Sequence, residues 1–275
     1  MDMPEGRDRG TFLRGGEFYS PVEARLRTDD VLLTALRQPC SRTIPRHEHE
    51  LAYITVVLGG DYREGDHGKL DDLLPFTASF NPTGVRHASV IGPAGVSFFT
   101  IELRDRFLRQ LGLSLPQQKA LDRGAGAMLW PGLRLYSAFK TQTADPLVLE
   151  SHVLELLGAI TQSCGVEKSV PRWLGRVKDR MHEEFRDNIR IGNLAEDAGV
   201  HPVHLARAFR AQEGRTPGDY LQHLRVRAAC PLLCDRDYPL AIIAAECGFA
   251  DQSHFTRVFR KFTQSTPAQF RRAVS

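Results

Sequence analysis

Between Asp251 and Lys261 the chain sets Gln252, Ser253, Thr256, Arg257, Arg260 and Lys261 around Phe255 and Phe259, with Phe262 next in line. The phenylalanines fall at i, i+4 and i+7, one apolar stripe of a helix, and Asp251 is a good N-cap for it. The other faces then carry two guanidiniums, an ammonium, a carboxamide and two hydroxyls. Those groups match the surface of duplex DNA. Arg257 can hold a guanine edge in bidentate fashion, Gln252 an adenine edge, and Thr256 a thymine methyl or a base edge. Arg260 and Lys261, further along, suit phosphates. A solvated surface face is the plain alternative, since most charged helix faces are no more than that.

The elements that must position this row occur twice. "LAEDAGVHPVHLARAFR" begins at Leu194 and "IAAECGFADQSHFTRVFR" at Ile243. Ala195 and Gly199 match Ala244 and Gly248. Past the turn the offset grows by one residue, and Leu205, Arg207, Phe209 and Arg210 match Phe255, Arg257, Phe259 and Arg260. Each copy is followed by Thr-Pro and an aromatic, "TPGDY" at 216–220 and "TPAQF" at 266–270; Thr then Pro is an N-cap followed by the first helical position. Each copy reads as a short helix, a glycine turn and a longer helix, the helix-turn-helix arrangement whose second helix enters the major groove. Two copies with Arg at matching places weigh against an idle surface face.

The 275 residues suffice for two ordinary domains, and 42% hydrophobic with 25% charged residues fits a globular chain. The longest strongly apolar run, "LAYITVVL" at 51–58, is far short of the ~20 residues of a membrane helix, and the polar "MDMPEGRDRGTF" has no secretory core. The odd set Cys40, Cys164, Cys230, Cys234 and Cys247 contains no C-x-x-C pair and reads as reduced thiols, so a cytoplasmic location is expected. Cys230 and Cys234, one helical turn apart, read as small buried apolar residues. From residue 169 onward 17 Lys and Arg face 12 Asp and Glu, whereas the earlier part is slightly acidic. That asymmetry predicts two domains with different partners, here 1–165 and 166–275.

Residues 172–272 resemble the DNA-binding domain of the AraC/XylS family of bacterial transcription regulators, most specifically in "IIAAECGFADQSHFTRVFRKFTQSTPAQFRR" (242–272). The resemblance implies seven helices, two helix-turn-helix units joined by a long helix, and recognition helices near 201–212 and 251–263. On the family pattern the base-facing positions are Val203, Ala206 and Arg207, then Gln252, Ser253, Thr256 and Arg257. His201 or His204 could assist Arg207, and Arg210 stands where Arg260 stands in the second copy. Double-stranded promoter DNA and RNA polymerase are the partners it implies. Pro231 departs from the pattern inside the presumed joining helix, where a proline removes a hydrogen bond and clashes with the carbonyl four residues back. A kink or break near Arg227 is expected.

Residues 30–103 hold short β-rich runs, "VLLTALR", "LAYITVVL", "LLPFTASF" and "VSFFTIEL", punctuated by "LGGDYREGDHG", "NPTG" and "GPAG". This suggests an all-β barrel or jelly roll. The stretch looks like the cupin-type sensor domain common in these regulators, through "PRHEHE" (45–50) and "PTGVRH" (82–87). His47, His49 and His87 fit the histidine positions of metal-binding cupins, and Tyr53 holds the position of their glutamate. A divalent metal on the three histidines and a metal-free effector pocket lined by His47, His49, Tyr53 and His87 both stay open; the reading adopted is the pocket, with no cofactor. In "PLVLESHVLELLGAITQSC" (146–164) Leu149, Val153, Leu156 and Ile160 follow a and d spacing, widened by Leu147, Leu154 and Leu157. A homodimer through this helix is expected, with "SCGVEKSVP" (163–171) as linker.

The fold class expected is thus multidomain α+β: an N-terminal cupin-like β-barrel (jelly roll) with flanking helices, and a C-terminal all-α domain with two helix-turn-helix units. The function expected is effector-controlled, sequence-specific transcription regulation by a non-enzyme without membrane contact. A metal-dependent cupin enzyme, a dioxygenase or isomerase with a DNA-binding appendage, is the alternative.

Overall fold

The computed structural model describes residues 11–66, 69–122, 126–141, 145–163 and 171–274. The chain divides into two compact units, Met1–Leu121 and Asp122–Ser275. The boundary expected at 165/166, the body of the linker and Cys164 lie outside the described residues. No helix among the described residues is long and apolar enough to cross a membrane.

The first unit is a sheet of β1 (Thr11–Leu13), β2 (Val22–Arg27), β3 (Val31–Gln38), β4 (Arg42–His49), β5 (Ala52–Asp66), β6 (Lys69–Asp72), β7 (Thr77–Asn81), β8 (His87–Leu103) and β9 (Ala120–Asp122), with a short helix α1 (Asp105–Gln110). The order β1-β4-β8-β5-β7-β9 forms its main path, with β2 on β3, β3 on β8 and β6 on β5. β1 lies parallel to β4, whereas β5 and β8 run antiparallel along most of their length. Leu33, Ile54, Val56, Phe80, Phe99 and Ile101 are fully buried on one face of the sheet.

Each of the four apolar runs contributes to a strand, and "NPTG" turns as expected, with Gly84 at φ 71°. The glycines of the other two punctuations do not end a strand, and the chain reverses only after Asp66, where β6 pairs back antiparallel on β5 from Lys69. "LGGDYREGDHG" continues β5 to Asp66, and "GPAG" lies inside β8. The glycines serve bulges instead: the β5–β8 register shifts between Val57 and Gly59 and again between Gly60 and Tyr62. Gly60 has φ 99°, and a Cβ there would overlap the Gly95 carbonyl on the partner strand. Glycine at that crossing lets two long strands bend without ending. The bend brings Tyr62 and Glu64 opposite Ile91 and Ser89, all buried.

The second unit is helical: α2 (Leu129–Thr141), α3 (Pro146–Ser163), α4 (Arg172–Glu183), α5 (Ile191–Asp197), α6 (Pro202–Glu213), α7 (Pro217–Leu233), α8 (Leu240–Glu246), α9 (Gln252–Thr263) and α10 (Pro267–Val274). Seven helices thus lie between residues 172 and 274. The doubled pattern becomes a doubled geometry. Gly199 and Gly248 take φ 66° and 78° in the two turns, and the longer helices end on left-handed Gly214 and Gln264. Thr216 and Thr266 cap the next helices, their hydroxyls accepting from Asp219 N at 3.1 Å and Gln269 N at 3.2 Å. Leu194, Ala195, Leu205 and Phe209 pack with Leu174, Val177, Met181, Tyr220 and Leu224 in one cluster. In the second copy Ile243, Ala244, Phe255 and Phe259 are fully buried.

The break expected near Arg227 and the open stripe expected on α3 are corrected here. α7 runs unbroken to Leu233, so there is no break near Arg227. Pro231 sits exposed in the last turn, and Val226, Ala229, Cys230 and Leu233 are fully buried around it. With only one turn left to hold, the lost hydrogen bond weighs less than the ~3 kcal/mol of a mid-helix proline. Pro231→Ala should therefore raise stability by about 1 kcal/mol, read as a higher Tm, and leave DNA affinity unchanged within twofold. A marked affinity change would show that the proline sets a bend. The second correction concerns α3. Its a/d residues Leu149, Val153, Leu156 and Ile160, with Leu157, are buried within the chain, where α3 packs on α2. Leu147, Val148 and Leu154 remain exposed. The a and d positions are thus covered by the neighbouring helix, and the exposed apolar residues of α3 lie beside them.

Candidate nucleic-acid interface and histidine pocket

On α9 the burial pattern separates two jobs. Phe255, Val258 and Phe259 are buried, while Gln252, Ser253, Arg257, Arg260 and Lys261 are exposed and Thr256 is half-buried. These six polar residues line one shallow surface concavity together with Thr266. The Asp251 carboxylate accepts from His254 N at 2.7 Å and fixes the start of the helix. On α6, Val203 (59% exposed), His204, Arg207 and Arg210 face outward, and Ala206 is half-buried. His201 caps this helix through its side chain, accepting from Val203 N at 3.3 Å, so its ring is engaged at the helix start. The His204 ring lies 5.7 Å from that of Trp173.

Lys261 differs from its neighbours. Its ammonium meets the Asp219 carboxylate at 2.5 Å, tying α9 to the first turn of α7. The bonds from Lys261 and Thr216 hold the Asp219 carboxyl below the usual carboxylate range. A phosphate would have to compete for this cation, whereas Arg257 and Arg260 present their guanidiniums on the open face.

Sequence reasoning missed the clamps behind the two helix pairs. Arg225 donates to the carbonyls of Phe185 and Asp187, each at 2.7 Å, just before α5. Arg271 donates to Arg236 O at 3.0 Å and Tyr238 O at 2.5 Å, just before α8. An arginine that satisfies two backbone carbonyls fixes a loop more firmly than apolar packing alone. Nothing in the spacing of Arg225 or Arg271 marks them out, because their partners lie more than 30 residues away.

In the sheet unit the three histidines do meet. His47, His49 and His87 are buried, and their candidate ligand nitrogens lie within 4.8 Å of one another. The His47 Nδ1–H donates to Pro45 O at 2.8 Å, which leaves the Nε2 lone pair free to point inward. Tyr53 Oη meets His87 Nε2 at 3.2 Å. Burial, followed by the neighbouring His87, lowers the His47 pKa to about 4 and that of His49 to about 3, so both rings are neutral at pH 7. Neutral imidazoles with convergent lone pairs suit either a hydrogen-bonding ligand or a divalent metal. Around them Leu13, Phe18, Tyr19, Leu36, Ile44 and Phe98 wall a small pocket of about 50 Å³.

Beside the histidines lies a polar group that the sequence did not reveal. Glu64 is buried and accepts from Tyr62 Oη at 2.7 Å and Lys119 Nζ at 2.6 Å. Burial pushes its pKa up, but His87 and Lys119 outweigh that and the net shift is downward. Glu64 lay in a stretch that read as a turn, so no inward alternation could be assigned to it.

Glu102, also buried, accepts from Gly16 N at 2.9 and 3.1 Å, and Glu50 accepts from Gly15 N at 2.9 Å. Burial raises the Glu102 pKa to about 7. The unfolded chain releases this proton near pH 4.5 and the folded chain near 7. Stability should therefore fall as pH rises through that window, by up to about 3 kcal/mol. Glu102→Gln should flatten this part of a pH titration of Tm; an unaltered slope would contradict the assignment.

Comparison with known proteins places the helical unit. A family model described as a helix-turn-helix domain matches residues 194–273. The probable transcription factor PqrA of Proteus vulgaris is 33% identical over 106 residues, covering 38% of this chain and 83% of its own length. The chain belongs to the AraC family of transcription regulators. The HTH-type transcriptional regulator YijO of Escherichia coli K12 is 29% identical over 133 residues, 48% of this AraC-family chain and 46% of its own length. The chain thus matches less than half the length of that relative. A solved AraC-type transcriptional regulator from Chromobacterium violaceum is 25% identical over 38% of this chain and 93% of its own, with a TM-score of 0.36. The relatives are named as regulators, and DNA binding by a helix-turn-helix domain is the AraC-family function of this chain; none of these names supports the cupin-enzyme alternative.

Proposed function

We propose that this regulator reads a bipartite promoter site with two helix-turn-helix units, α5–α6 and α8–α9. One observation carries the reading: the same helix pair occurs twice, and each second helix shows an outward arginine at the matched place, Arg207 and Arg257. Base contacts come from Val203, His204, Ala206 and Arg207 on α6, and from Gln252, Ser253, Thr256 and Arg257 on α9. Arg210 and Arg260 meet phosphates, and Lys261 joins them if it leaves Asp219. Residues 166–275 form the DNA-reading part and 1–165 the controlling part.

The sheet unit is a cupin-like barrel whose pocket, with His47, His49, Tyr53 and His87, takes a small effector. Bound effector shifts the population of DNA-competent states. The regulator works in the cytoplasm as a homodimer that contacts RNA polymerase; Leu147, Val148 and Leu154 are the apolar surface of α3 that a second copy could use. Zinc or another divalent metal at the three histidines is the second reading, favoured by their convergent nitrogens. Here the fourth place falls to Tyr53, not a carboxylate. Metal analysis of the purified chain and of His49→Ala separates the two.

Selection of binding sites from random duplex DNA tests the main reading. One recurrent motif with two separated blocks is expected. Recovery of unrelated sequences at equal affinity would show a binder without sequence preference.

A further inference from the structure

α2 belongs to the same compact unit as the helix that carries Arg257, and it touches that helix at one end. Arg134 on α2 donates from a guanidinium nitrogen to Phe262 O at 2.9 Å, in the last turn of α9. A cation on that carbonyl complements the negative end of the helix dipole. The other terminal nitrogen of Arg134 bonds Glu155 on α3, which holds the guanidinium in place. One turn earlier, Trp130 lies 5.6 Å from the Phe262 ring and donates its Nε1–H to His223 Nδ1 at 2.8 Å. His223, on α7, is fully buried. α2 therefore grips the recognition helix and the joining helix together. Gly126 has φ 65°, and a Cβ there would overlap both His223 and the indole nitrogen of Trp130, so the backbone is fitted closely to this contact. Asp122 fixes the approach, accepting from Gly126 N at 2.7 Å and from Met128 N at 2.8 Å.

We propose that Trp130 and Arg134 are positioning residues for DNA reading: α2 is a strut that sets the pose of α9, while α6 is read out independently of it. The inference rests on α9 being a reading helix. No contact of α2 with DNA is involved, and the strut lies before the family-matched segment 194–273.

The test is footprinting of the full chain on the bipartite site recovered by selection. Arg207→Ala and Arg257→Ala first assign one block to each helix; if Arg257→Ala changes neither block, the reading of α9 itself fails, a result distinct from failure of the strut. Arg134→Gln should then lower affinity roughly tenfold, with protection lost at the α9 block and retained at the α6 block. Arg134→Lys, which keeps a cation at the helix end, should restore most of it. Trp130→Phe, which keeps a ring and removes the donor, should show the same one-sided loss and serves if Arg134→Gln does not fold. Equal loss at both blocks, or no loss in either variant, would overturn the proposal.

Discussion

Gly248→Ala should destabilise the helical unit by about 3 to 5 kcal/mol, whereas Gly199→Ala should cost about 1. Both glycines occupy the turn of a helix pair, with φ 78° and 66°. A left-handed alanine costs ~1–2 kcal/mol at either place. The surroundings differ. A Cβ on Gly199 would meet open space, while one on Gly248 would overlap the backbone of Arg186. That carbonyl belongs to the loop whose neighbours Phe185 and Asp187 are held by Arg225, so it cannot retreat without breaking the clamp. Overpacking against fixed backbone adds a few kcal/mol. Both tryptophans, Trp130 and Trp173, lie in the helical unit, so urea unfolding followed by tryptophan fluorescence reports this unit. Equal losses for the two variants would contradict the contact with Arg186.

Arg257→Ala should weaken specific DNA binding by about 1 to 3 kcal/mol, roughly five- to 150-fold, and relax base preference at one position. Arg257 is exposed one position before Val258 and two before Phe259, both buried, so its loss leaves the apolar stripe intact. Tm should hardly move. Arg260→Ala should instead weaken binding evenly across sequences and lower the salt dependence by about one phosphate contact. An unchanged sequence preference in the Arg257 variant would remove it from the base-reading set.

The helical part was legible because its signals are local. A glycine turn, a Thr-Pro start and a phenylalanine every four residues each act within about ten residues, and the doubling let one copy check the other. The sheet part was legible as strands but not as lengths. Gly60 and Gly95 read as turn formers, yet glycine permits a bulge as readily as a turn. Which occurs is decided by a partner strand some 35 residues away. The histidines could be picked out through "PRHEHE" and "PTGVRH", and the structure gathers all three. Glu64 could not, since its burial follows from the same bulge. The stripe on α3 was visible, but a stripe does not say what covers it, and here α2 does. Pro231 read as an interior breaker because the exit of α7 at Leu233 leaves no strong mark ahead of it. The pair Trp130 and His223, 93 residues apart, had no sequence signal.

The most direct test of the account is a hydroxyl-radical footprint of the full chain on its selected site. Two reading helices meeting successive major-groove faces should protect two segments centred about 34 Å apart, one helical turn, on the same face of the duplex. Arg207→Ala should erase one segment and Arg257→Ala the other. A single uninterrupted footprint, weakened equally by both substitutions, would contradict the two-headed reading.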